Sequence, residues 1–317
     1  MTNEPSPTTD PRWRALQPSL VDHVTAEVAA AFRLEGIRSI LLRGRATAAA
    51  LYDDPADRFY GDVDLLVDPT QFDGARTTLR QLGFAGLSIE VSRHEPRPYS
   101  EVWSRDEPPV IVDLHNTLSG VGAPSEAVWQ ALAEKTERLE LRGSEIETLS
   151  PGGTAFVLAL HAGKHGKYEA TSRDLGRALE RLPFDAWREA AALAERLDAT
   201  AAFAAGLRLV AGGPERLERL EVARKRSLEA ELRAASAPHM ALALTWLARG
   251  AATPRQKLAI VARRLFPPAE FMRAVYPNRG RLGLAAAYVE RPITLLTRLP
   301  RALRALWQAR RAVSRGD

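Results

Sequence analysis

Cysteine is absent from this chain, which excludes disulfides, thiolate catalysis and cysteine-ligated zinc together. The lack fits a reducing compartment, so a cytoplasmic location is the expectation. Lysine is scarce as well, with only residues 135, 164, 167, 225 and 257 among 44 basic side chains. A GC-rich genome would produce that bias, and some arginines then stand where relatives would use lysine. No apolar run approaches the length of a bilayer span, so a soluble chain is expected. Residues 1–18 have no signal-peptide core and are rich in Pro, Thr and polar side chains, the composition of a disordered lead-in.

What is present is unevenly placed. The 317 residues suffice for two domains, each with its own core. Net charge is +5, but residues 291–317 hold seven arginines and one acid, so the rest is nearly balanced. Leu295, Leu296, Leu299, Leu303, Leu306 and Trp307 recur helically among those arginines. A basic amphipathic helix is expected there, most simply packed on the body with its arginines in water. Peripheral contact with an anionic membrane and binding to nucleic-acid phosphates are the alternatives. No aromatic–basic interleaving elsewhere supports a nucleic-acid groove, so no specific nucleic-acid binding is expected.

The most informative stretch is Arg58-Phe59-Tyr60-Gly61-Asp62-Val63-Asp64-Leu65-Leu66-Val67. Residues two apart on a strand share a face, so Asp62 and Asp64 would project together. Two anions that close repel unless a cation lies between them. A solvated turn is the bland alternative for such a pair. Downstream, Val110-Ile111-Val112-Asp113-Leu114-His115 is a second β-branched run with a carboxylate in its middle, and His115 shares the face of Asp113. A buried acid needs a partner, and three carboxylates converging from two strands suit a two-metal phosphoryl-transfer site. Oxygen ligands favour magnesium or manganese.

The pattern predicts a helix over residues 19–35, a strand from Ile37 to Leu42 and a small-residue helix from Ala46 to Leu51. Strands follow from Asp62, from Leu87 to Ser92, from Tyr99 to Trp103 and from Val110 to His115, with a helix from Phe72 to Leu82. After Leu149 the pattern turns helical: Ser150-Pro151 is a helix start, followed by helices over 152–168, 172–182, 185–197, 199–211, 215–235, 238–249 and 255–265. The expected organisation is α+β. A small mixed-sheet domain (19–149) precedes an all-α domain (150–290) and the basic tail helix (291–317).

Four blocks resemble the polymerase-beta-type nucleotidyltransferase superfamily, in a bacterial branch of nucleotidyltransferase family proteins. They are Leu41-Leu42-Arg43-Gly44, Arg58 through Val67, Val112-Asp113-Leu114-His115, and Leu160-His161-Ala162-Gly163-Lys164-His165-Gly166, the last followed by Arg173-Asp174-Leu175. The resemblance implies a metal-dependent transferase that moves a nucleoside monophosphate from an NTP such as ATP to an acceptor and releases pyrophosphate. Asp62, Asp64 and Asp113 would be the catalytic, metal-holding residues, with two Mg2+ or Mn2+ ions expected. Gly44, Arg43 and Arg45 would hold phosphates at a helix start, with Arg58 bracing the acids or a phosphate. His115, His161, Lys164 and His165 would line the acceptor or interdomain cleft. The last three fall at i, i+3 and i+4 on one helix face. The acceptor class stays open among small molecules, glycans and peptides. Two other readings remain: a degenerate fold that binds nucleotide or a partner without turnover, and a glycosyltransferase using Asp62-Val63-Asp64.

Overall fold

The computed structural model describes residues 11–86, 99–166, 169–222, 225–237, 239–249, 253–269, 272–273 and 281–314. Its centre is a seven-stranded mixed sheet in the order β3-β4-β5-β2-β1-β7-β6. The strands are β1 (Ser39–Leu41), β2 (Asp62–Val67), β3 (Ala85–Gly86), β4 (Ser100–Asp106), β5 (Pro109–His115), β6 (Thr136–Leu141) and β7 (Ser144–Leu149). Around it in unit one stand α1 (Pro11–Leu34), α2 (Arg45–Leu51), α3 (Phe72–Gln81), α4 (Ser125–Ala133), α5 (Pro151–His165), α6 (Glu169–Arg181), α7 (Phe184–Arg196), α8 (Thr200–Leu207) and α9 (Gly213–Arg219).

Strand alternation decides which layer each side chain joins. Val63, Leu65 and Val67 of β2 and Val110, Val112 and Leu114 of β5 pack with Val24, Val28 and Phe32 of α1 and Leu79 of α3. The other residues of the same strands, among them Leu66, turn to the opposite layer. There Ile40 and Leu66 meet Trp129 and Leu132 of α4 and Phe156 of α5. Full burial of a Val or Leu side chain contributes about 1.5–3 kcal/mol. A one-residue slip of β2 would forfeit several such terms and drive Asp62 and Asp64 into the α1–α3 core. The acids therefore lie on their own face because their apolar neighbours are held on the other.

The structure refines several expectations. The helix before the sheet begins at Pro11, with Pro18 inside it, so the expected lead-in holds at most for residues 1–10, which lie outside the described ones. The strand expected over Leu87–Ser92 also falls there. Sequence periodicity misses the β6–β7 hairpin, whose charged, exposed edge strand hides its alternation. Its turn is the two-residue Arg142-Gly143, both at positive φ, as a two-residue hairpin with right-twisted strands requires. The single helix expected over 215–235 is two, Gly213–Arg219 and Leu228–Ala234. Glu221 takes a positive φ after the first, and Ser227 caps the second by accepting from the Ala230 N–H.

Ser150 caps α5, accepting from the Gly153 N–H at 3.1 Å, with Pro151 at the first turn. The expected change at residues 149/150 is thus a change from sheet to helix. It takes place inside one compact unit, which runs on to Lys225. α5 is buried along nearly its whole length, and α6, α7 and α8 surround it. Gly163 of α5 and Gly206 of α8 are where those two helices cross: a Cβ on Gly206 would stand 1.9 Å from the Ala159 carbonyl oxygen. The second unit comprises chiefly residues 226–317 and is helical, with α10 (Leu228–Ala234), α11 (His239–Arg249), α12 (Pro254–Leu265) and α13 (Arg281–Ser314). Leu228, Leu232, Ala241, Ala302 and Ala309 form its core. The tail helix expected from residue 291 starts ten residues earlier.

Candidate active site

β2 and β5 are neighbouring parallel strands, and their register sets Asp64 directly beside Asp113. Asp62 and Asp64 share a face of β2, and Asp113 and His115 share the matching face of β5. A carboxylate oxygen of Asp64, one of Asp113 and a ring nitrogen of His115 lie within 4.8 Å of one another. Asp62 is outside that trio but within electrostatic reach. Its carboxyl is pushed up to about 6 by burial and by the charges of Asp64 and Asp113, against the pull of Arg43. Asp113 is also raised, by burial first and then by Asp64. Burial opposes ionisation of Asp64 as well, but the Arg43 guanidinium and the His115 hydrogen bond outweigh it and hold Asp64 below the ordinary carboxylate range. Three acids so placed favour a cation among them.

Part of that positive charge comes from the chain itself. Arg43 Nη2 donates to Asp64 Oδ1, and its Nη1 reaches the His161 imidazole. His115 Nε2 lies 3.1 Å from the same Asp64 oxygen. Asp64 is 2% exposed, and an ionised carboxylate at that depth needs such partners. His161 is held neutral, its pKa lowered by burial and by the adjacent Arg43 charge. Its ring stands 4.5 Å from that of His165, and the Lys164 ammonium lies 4.5 Å from the centre of the Tyr99 ring. Leu42, Arg43, Tyr99, His115, Ser119 and Lys164 line a recess beside the acids. In it His115 Nδ1 and Ser119 Oγ are buried without a hydrogen-bond partner.

The other expected phosphate contacts lie around one turn. Gly44 has φ +62 and precedes α2, a backbone region that side chains resist, so glycine is required there by conformation. Arg58 is committed: it clasps the Asp174 carboxylate with contacts of 2.7–3.0 Å and donates to the Gly44 carbonyl at 3.0 Å. Tyr52 donates to the same Asp174 at 2.8 Å. Arg45 lies 3.7 Å from Asp22, which accepts from Tyr60 at 2.6 Å. Arg58 and Arg45 thus brace the turn on either side of Gly44. The sequence assigned no role to Asp174, although a signal was present. It sits with Thr171, Leu175 and Ala178 on the buried face of α6, where an acid requires a cation.

A family described as uncharacterised nucleotidyltransferase matches residues 13–212. The chain belongs to that family. The match spans the sheet, the three acids and α5 to α8. Among solved structures, the antibiotic-resistance factor ANT(2'')-Ia is 13% identical, with 57% of this chain and 95% of that one covered at a TM-score of 0.42. A nucleotidyltransferase-like protein from Paracoccidioides brasiliensis is 16% identical, with 58% and 91% covered at a TM-score of 0.35. No curated protein matches the chain significantly. The family rests on the match over residues 13–212, and the trio Asp64, Asp113 and His115 supplies hard and borderline donors that could hold a divalent ion.

Proposed function

We propose that this family member transfers a nucleoside monophosphate from a metal-bound NTP to an acceptor hydroxyl or similar group, releasing pyrophosphate. The convergence of Asp62, Asp64 and Asp113 on one face of two adjacent strands carries the reading. Asp64 and Asp113, with Asp62 completing the set, would hold Mg2+ or Mn2+, which when bound neutralises charge on the phosphates and lowers the pKa of a coordinated oxygen. Asp113 is the less buried partner of the Asp64 pair, and from there it would draw the acceptor's proton. Arg43, released from Asp64 as a metal enters, would turn its fork to a phosphate, next to the Gly44 backbone. The recess holding Tyr99, Ser119 and Lys164 would seat the acceptor, with His115 Nδ1 and Ser119 Oγ as its unsatisfied hydrogen-bonding groups. His161 and His165 would border it.

One observation favours the non-catalytic alternative. The Arg43 guanidinium already neutralises Asp64, with His115 Nε2 in hydrogen-bond reach of the same oxygen, so the site is electrically tolerable with no metal at all. A pyrophosphate-release assay over the four NTPs, paired with calorimetric titration of NTP with and without magnesium, separates the two. Metal-dependent release that Asp62→Asn and Asp113→Asn each cut by more than about 100-fold is the expected result. Metal-dependent binding with no release by the unaltered protein in any acceptor mixture would favour the binding role.

A further inference from the structure

The second unit is unlike the first in charge and in what it exposes. Residues 226–317 carry 17 basic and 5 acidic side chains, whereas residues 1–225 carry 27 and 34. Of the twelve large hydrophobic side chains exposed among the described residues, eight belong to this unit. Five of them lie along α13: Val289, Ile293, Leu296, Leu303 and Trp307, each 52–65% exposed. With Pro300 they follow one another in alternating steps of four and three residues, which on an α-helix is a single stripe. It runs about 27 Å at 1.5 Å per residue. The opposite side of α13 is occupied, since Ala302 and Ala309 are buried against Leu228, Leu232 and Ala241.

The borders of the stripe identify its occupant. Arg304, Arg310 and Arg311 fall beside Leu303 and Trp307, and the Arg311 guanidinium lies 3.5 Å from the centre of the Trp307 ring. Glu290 is the one acid between residues 281 and 314. A second copy docked on this face would bring arginine borders against arginine borders, and like charges so placed destabilise pairing. Nucleic acid would satisfy the arginines but leave the aliphatic stripe in water. An anionic lipid surface satisfies both, taking the apolar side chains to the acyl boundary while the arginines meet headgroups. No helix among the described residues is long and apolar enough to cross a membrane, so α13 would lie on the surface instead of spanning it.

We propose that α13 is a peripheral anchor that binds the second unit to anionic membranes through the stripe from Val289 to Trp307 and its flanking arginines. This rests on nothing in the proposed chemistry. Flotation of the full chain with phosphatidylcholine vesicles, and with the same vesicles doped with phosphatidylglycerol, tests it. The protein should float with the anionic vesicles only, and less at high salt. Arg304→Gln/Arg310→Gln/Arg311→Gln should weaken binding on the order of 100-fold, at roughly fivefold per arginine. Leu296→Gln/Leu303→Gln/Trp307→Gln should abolish it while leaving the thermal midpoint in place, because these side chains are more than half exposed. Three results would overturn the proposal: equal flotation with both vesicles or with neither, a dimer in light scattering that the apolar variant disperses, or retention on duplex DNA without vesicle binding.

Discussion

Two glycine-to-alanine substitutions in helices of the first unit should shift stability in opposite directions. Gly206 faces α5 so closely that an added Cβ would sit 1.9 Å from the Ala159 carbonyl oxygen and 3.1 Å from the Gly163 amide. Both neighbours are backbone, so no side chain can rotate away, and α8 must move from α5 by more than an ångström. That shift would loosen Phe156, Phe203 and Trp187, which are fully buried at this crossing. Overpacking of this kind costs about 1–3 kcal/mol and sometimes more, offset by roughly 1 kcal/mol of alanine helix propensity. With backbone on both sides the cost falls at the upper end, about 3 kcal/mol, so the net is about 2 kcal/mol of destabilisation, a fall in midpoint of about 4–8 °C for a unit of this size. Gly176 in α6 has nothing within 4 Å of its would-be Cβ, so Gly176→Ala should gain up to about 1 kcal/mol. Calorimetry of the two variants beside the parent protein makes the comparison. A Gly206→Ala protein as stable as the parent would refute the reading of the α5–α8 crossing.

Asp174→Asn keeps the shape but leaves the Arg58 charge unpaired beside a mostly buried site. Losing one partner of a buried pair costs about 3 kcal/mol, readable by urea unfolding, and a loss below about 1 kcal/mol would show that the pair is not an essential brace. Burial, followed by the hydrogen bond to Asp174, pushes the Tyr52 hydroxyl up to about 12. The unfolded chain releases that proton near pH 10, so between pH 10 and 12 it binds fewer protons than the folded one. The Tyr52 contribution to stability is therefore whole below pH 10 and declines as pH rises through that window. Tyr52→Phe should show a shallower alkaline loss, and an identical slope in the two proteins would contradict the assignment. Arg43→Gln should tighten binding of Mn2+ alone, because Asp64 loses its internal counter-ion, yet weaken binding of the metal–NTP complex. Titrating each by calorimetry would expose any case in which both change in the same direction.

Much of the site was legible because its chemistry is local. Asp62 and Asp64 declare a shared face by spacing alone, Asp113 declares itself by interrupting an apolar strand, and Ser150-Pro151 marks the start of α5 by capping. The β6–β7 hairpin was not legible, since an edge strand exposed on both sides keeps little hydrophobic alternation. The partner of Arg58 was not legible, because nothing local reveals that Asp174, more than a hundred residues later, closes on it. Likewise Gly163 sits in a block of polar residues that suggests binding, whereas its backbone lies against Ala202 and Gly206.

By itself the sequence determined the two strand faces, the acids they carry and the helical second half, because periodicity and capping are properties of adjacent residues. Only the tertiary structure decided which distant charges neutralise each other. Arg43 meets Asp64, Arg58 meets Asp174, and the stripe of α13 is left uncovered while its alanine side is packed. Pairing of buried charges depends on which segments are brought into contact through long loops, and no local rule encodes that.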